Sequence, residues 1–174
     1  MNHKEVIYNL SKTAQQITVE NGGHDFMVFC IDGEGDIFAG LELASLLQKA
    51  EFQYEDGDDQ VGDNIKDTMA YIIKKAVREI NPVGVIIISE AWCSGSREDK
   101  DDMTPPRQSK DRYEAVVLSY EIKGEDNIHR GTIVMPFVRT KGDKIKFLRT
   151  NHVGESDDTE DKTAGRLTHI LAGI

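Results

Sequence analysis

Between residues 89 and 114 the sequence gathers side chains that could build a polar site: Glu90, Trp92, Cys93, Arg107, Arg112 and Glu114. Residues of equal parity share one face of a strand. Glu90 and Trp92 therefore face the same way as Ile86 and Ile88, and Arg112 and Glu114 the same way as Val116 and Leu118. Antiparallel pairing across residues 93–111 would bring Glu90 and Trp92 beside Arg112 and Glu114. Arg107, which follows Pro105-Pro106, could swing over them. A carboxylate at the end of a buried strand needs a cationic partner or stays protonated. Arg112 or Arg107 is the expected partner, through a bidentate pair. Two readings follow: a salt bridge that pins the long loop to the sheet, or a polar pocket with Trp92 as a stacking wall.

Other reactive types are less well placed. Cys93 sits at a strand end, but a nucleophilic thiol needs a nearby base or positive charge. The arginine step of a tyrosine-phosphatase loop fails because residue 99 is Asp. Cys30 lies inside an apolar run and reads as core. His3, His24, His129, His152 and His169 form no H-x-x-x-H step and read as surface residues. With only two cysteines, no metal site is expected, nor any cofactor. Asp32, Glu34 and Asp36 suggest a calcium loop, but Ile37 and Leu43 stand where its Gly and Glu should be. Glu121-Ile122-Lys123 resembles the E-x-K element of restriction-type nucleases. Its upstream acid is not Asp111, because ten strand residues span roughly 33 Å. Another Asp would have to come from a neighbouring strand, with Asp32 one candidate.

The elements that must position these residues can be read from periodicity. Val6, Leu10, Ala14 and Ile17 form one stripe, predicting a helix over 3–17 that Asn21-Gly22-Gly23 ends. Phe26–Ile31 reads as a buried strand and 37–41 as its hairpin partner. Residues 41–50 are good helix formers. Val61 through Ile80 mark a strong amphipathic helix, with Asp63 as cap and Asn81-Pro82 as stop. Val83–Trp92 is a β-branched run that predicts a central strand covered on both faces. Three strands follow, over 112–122, 131–140 and 144–150, as an antiparallel meander. Pro136 would suit an edge or a bulge. Residues 164–171 could close the chain as a short helix. The expectation is a single α+β domain over 1–174, with a mostly antiparallel sheet of about five to six strands and two to four helices packed on it.

Ser89-Glu90-Ala91-Trp92 ending an apolar strand, then Pro106-Arg107, then Arg112-Tyr113-Glu114 opening the next, resembles a group of small uncharacterised bacterial and phage proteins. The resemblance spans roughly residues 84–122. In that group a Met commonly follows the Trp, where Cys93 stands here. The resemblance implies a strand–loop–strand layout and a phage or prophage origin, and no particular reaction.

Composition bounds the function. The chain has 174 residues, 39% hydrophobic and 30% charged, with a net charge of -10. Six acids and no base occupy 51–63, and five acids and no base occupy 155–161, so acidic loops are expected near 51–63 and 152–163. The remaining 20 acids face 21 bases. This balance argues against direct nucleic-acid binding, which a basic surface normally drives. The apolar runs are too short for a membrane span, and MNHKEVIYNL lacks the apolar core of a signal peptide. With two cysteines, a cytoplasmic location is expected. The expected function is a small acidic binding or regulatory protein without catalysis, acting on a protein partner. An exposed strand would also offer a route to a homo-oligomer. Two alternatives stand beside it: a metal-dependent phosphodiester hydrolase using Glu121 and Lys123, and an acidic inhibitor that mimics nucleic acid.

Overall fold

The computed structural model describes residues 3–42, 61–94, 108–125, 127–142, 144–156 and 170–171. Two helices, α1 (His3–Asn21) and α2 (Val61–Ile80), accompany seven strands in these segments. The strands are β1 (Met27–Ile31), β2 (Ile37–Glu42), β3 (Gly84–Cys93), β4 (Tyr113–Lys123), β5 (Ile128–Arg139), β6 (Ile145–Phe147) and β7 (Asn151–Ser156). They form one sheet in the order β2-β1-β3-β4-β5-β6, with β7 also on β5. Every pairing is antiparallel. The fold is α+β.

The β-branched run of β3 explains its place. Val85, Ile86, Ile87 and Ile88 are all buried. Their alternation feeds two cores: Ile86 and Ile88 pack with Val6, Ile7 and Ala14 of α1, and Val85 and Ile87 with Ile73 and Val77 of α2. The two helices therefore cover opposite faces. Each fully buried Ile or Val contributes about 1.5–3 kcal/mol of apolar burial.

The α1 stripe is rotated from its expected position. Ser11 and Thr18 are buried with Val6, Ile7 and Ala14, while Leu10 and Ile17 are only partly so. The two hydroxyls make this possible by donating to their own helix, Ser11 Oγ to the Tyr8 carbonyl and Thr18 Oγ1 to the Ala14 carbonyl. The helix also runs four residues further than the stripe predicts, to Asn21, where Gly22 adopts φ 75° as its C-terminal cap. Asn81, at φ 50°, caps α2 in the same way. α2 begins at Val61, two residues ahead of the expected cap Asp63, so its first turn takes in the end of the expected acidic loop.

The strand expected over 144–150 shrinks to β6, and a further strand, β7, follows it. Phe137 pairs Phe147, but Val134 pairs Asn151, so the partner strand gains a residue between β6 and β7. Pro136 faces that break: its carbonyl accepts from Leu148 N–H, so its missing donor points to the interrupted side. A proline thus sits in an interior strand at the bulge it requires. The expected acidic loop near 152–163 begins as β7. His129, expected on the surface, is an exposed residue of β5, whereas His24 is buried rather than exposed. The helix expected over 41–50 gives up its first two residues to β2; the rest of it, and most of the helix expected over 164–171, lie outside the described residues.

Candidate functional site

The β3–β4 register sets the rim of the sheet. Trp92 pairs Glu114, Glu90 pairs Val116 and Cys93 pairs Tyr113. Glu90, Trp92, Arg112 and Glu114 share parity with Ile86 and Val116, so they lie on the α1 face, where the sheet outruns the helix. β5 brings one more group to this face. Phe137 pairs Glu114, which places Arg139 diagonally across from it.

Arg139 is the hub of the rim. Its Nη2 donates to Glu90 Oε1 at 3.0 Å, its Nε to Glu114 Oε2 at 3.2 Å, and its Nη1 to the Gly22 carbonyl at 2.7 Å. Its guanidinium also lies 5.3 Å from the Phe137 ring centroid, and that ring meets Phe147 edge-on at 5.6 Å. The second oxygen of Glu90 accepts the His24 backbone N–H at 3.2 Å. The imidazole of His24 in turn contacts the Asp25 carbonyl at 2.6 Å. A Cβ at Gly23 would stand 3.2 Å from Glu90 Oε2, a tight approach. One arginine thus ties the C-terminal end of α1, where cations are favoured, to three strands.

The expected partner of Glu90 is therefore corrected. The partner is Arg139, and the guanidinium of Arg112 lies 5.3 Å from the Trp92 ring centroid. The register explains why. Arg112 precedes β4 and falls beyond Trp92, whereas Glu90 lies two residues back along β3. Arg107 and the two prolines before it lie outside the described residues. Arg139 carried a signal that parity alone could have caught: it continues the inward set Ile133, Met135 and Phe137, and a charge at an inward position needs a partner.

The rim has two parts. The floor is a network in which Arg139 engages both glutamates and the Gly22 carbonyl, and Glu90 also accepts the His24 backbone N–H. Above it Trp92 is 46% exposed, with Arg112 beside its ring. Cys93, next to it, is half-buried, and burial pushes its thiol above the ordinary range. Burial also raises the Tyr113 phenol, helped by Cys93 and Asp111. A raised thiol is protonated at neutral pH and a poor nucleophile.

Glu121 lies at the opposite end of β4 and on the other face. It is 7% exposed. One oxygen accepts Leu171 N–H at 2.8 Å and the other is 3.6 Å from Arg130 Nε. Lys123 donates to Asn81 Oδ1 at 3.0 Å. Asp32 accepts Glu34 and Asp36 N–H in its own turn. No group of three or more His, Cys, Asp or Glu suited to a metal occurs among the described residues, and no described helix is long and apolar enough to cross a membrane. No family model, curated protein or solved structure matches the chain.

Proposed function

We propose that the protein is a small binding or regulatory protein that engages a protein partner through the Trp92–Arg112 end of the sheet. The carrying observation is the contrast within one rim: an ion network holds the floor, and the chain's single tryptophan stands half-exposed above it. Trp and Arg are the residue types on which interface energy concentrates. A fixed backbone beneath them lowers the ordering cost of binding. The resemblance at Ser89–Glu114 makes a phage-encoded regulator with a host-protein partner the natural setting.

Hydrolysis through Glu121 is less well supported, because its oxygens already serve Leu171 and Arg130. The acidic-mimic reading depends on segments 51–63 and 155–161, most of which lie outside the described residues. The test is affinity capture from host extract with wild type, Trp92→Ala and Arg112→Ala. The proposal expects a partner retained by wild type and lost from both variants. A partner kept equally by both would refute the surface.

A further inference from the structure

In a chain whose acids outnumber its bases by 31 to 21, residues 138–149 run the other way: five bases, Arg139, Lys141, Lys144, Lys146 and Arg149, against the single acid Asp143. Arg139 is taken up by Glu90 and Glu114. The other four are exposed. None of them makes an ion pair among the described residues, whereas Arg130 pairs Glu121 and Lys123 bonds Asn81. Like charges gathered without partners set up a local positive potential on an otherwise acidic molecule.

The hairpin that carries them is well fixed. The Thr140 N–H and hydroxyl both donate to the Lys144 carbonyl, at 2.8 and 3.0 Å, and Gly142 at φ 81° makes the turn between them. Leu148 N–H donates to the Pro136 carbonyl at 2.7 Å, so the ladder along β5 continues past β6. Parity then sets the faces. Ile145 and Phe147 belong to the core under α1, so Lys144, Lys146 and Leu148 point to the opposite face. Val138 pairs Lys146 and shares that face, with about 5 Å between their Cβ atoms. Lys144 and Leu148 stand about 7 Å to either side of Lys146 along the strand. Val138 and Leu148 are 42% and 50% exposed. Two bare aliphatic side chains thus flank a row of unpaired ammonium groups.

Protecting a border strand explains only part of this. Charge of either sign discourages strand addition, and exposed aliphatics work against it. A single sign around an apolar pair is instead complementary to carboxylates around an aliphatic side chain. From this we infer that the outward face of the β5–β6 hairpin docks an acidic segment of a partner protein. Its carboxylates meet Lys144 and Lys146, with Lys141 and Arg149 at the flanks, and its apolar residue rests on Val138 and Leu148. Single-stranded nucleic acid is disfavoured, because it binds by stacking bases on aromatic rings and the apolar groups here are aliphatic. The surface does not depend on the Trp92 rim.

The test titrates a capped synthetic peptide, Asp-Glu-Leu-Leu-Glu-Asp, into the full chain labelled with 15N. The inference expects saturable amide shifts confined to residues 137–149, weakened by added salt. The Lys144→Glu/Lys146→Glu variant should bind at least tenfold more weakly, and Leu148→Ser should also lose affinity. Lys12→Glu, an exposed base on α1, should change nothing. A peptide with lysines in place of its acids should not bind the wild type, which tests the idea even if a variant folds poorly. Three results would each overturn it: no shift in 137–149 up to millimolar peptide, equal binding of the lysine peptide, or tighter binding of a single-stranded oligothymidine of the same charge.

Discussion

Replacing Arg139 with methionine keeps most of the aliphatic stem over Phe137 and removes only the guanidinium. Three interactions go: the pair with Glu90 at 3.0 Å, the pair with Glu114 at 3.2 Å, and the bond to the Gly22 carbonyl at 2.7 Å. The arginine and both glutamates keep between 23% and 33% of their side-chain surface, so solvent screens the pairs. Each is worth about 0.5–1 kcal/mol under such screening, and the charged donor on the carbonyl adds about 1 kcal/mol. The total is about 2–3 kcal/mol, and two neighbouring carboxylates are left to repel each other. For a chain of this size that lowers Tm by roughly 5–10 °C. Urea unfolding of Arg139→Met, beside Arg149→Met as an exposed control, measures the cost. A double-mutant cycle with Glu90→Gln should show coupling of about 1 kcal/mol that shrinks in 1 M salt. Equal stability of the two methionine variants, or no coupling, would refute the claim that Arg139 holds the rim.

Three further outcomes follow from the sheet. Tyr120 lies across Gly131, and a Cβ at 131 would enter its ring; Gly131→Ala should cost about 1–3 kcal/mol, and markedly less in a Tyr120→Ala background by the same urea assay. Glu121→Ala strips a buried carboxylate from Leu171 N–H and Arg130, and calorimetry should show a loss of about 2–4 kcal/mol, with Glu121→Gln costing less because it keeps an acceptor. Cys30, Cys93 and Tyr113 all have raised values in the fold; each favours the folded state while protonated, so stability is complete below the ordinary thiol range of about 8.5 and declines as pH rises through the raised values. Urea midpoints from pH 7 to 10.5 check this, and Cys93→Ala should flatten part of the decline.

What the sequence made legible was local. The β-branched run of β3, the 3.6-residue period of α2 and the Gly-containing turns each declare their element within a dozen residues. Trp92 and Glu114 could be set opposite each other because one loop joins their strands and parity fixes their faces. Arg139 could not, since its partner Glu90 is 49 positions away and reached through an intervening strand. Sequence proximity favoured Arg112 and Arg107 instead. The rotation of α1 was hidden for a different reason: Ser11 and Thr18 read as polar surface until their hydroxyls turn back onto their own helix. The extra residue between β6 and β7 left only Pro136 as its trace, which marks a fault in the ladder without saying which strand carries it.

The central claim is that Trp92 meets a partner on a rim already in place. As the only tryptophan, it reports directly on that event. Titration of the purified partner, with Trp92 emission and iodide quenching as readouts, should give a blue shift and protection from iodide that saturate with complex formation. Complex formation with emission and quenching unchanged would contradict it.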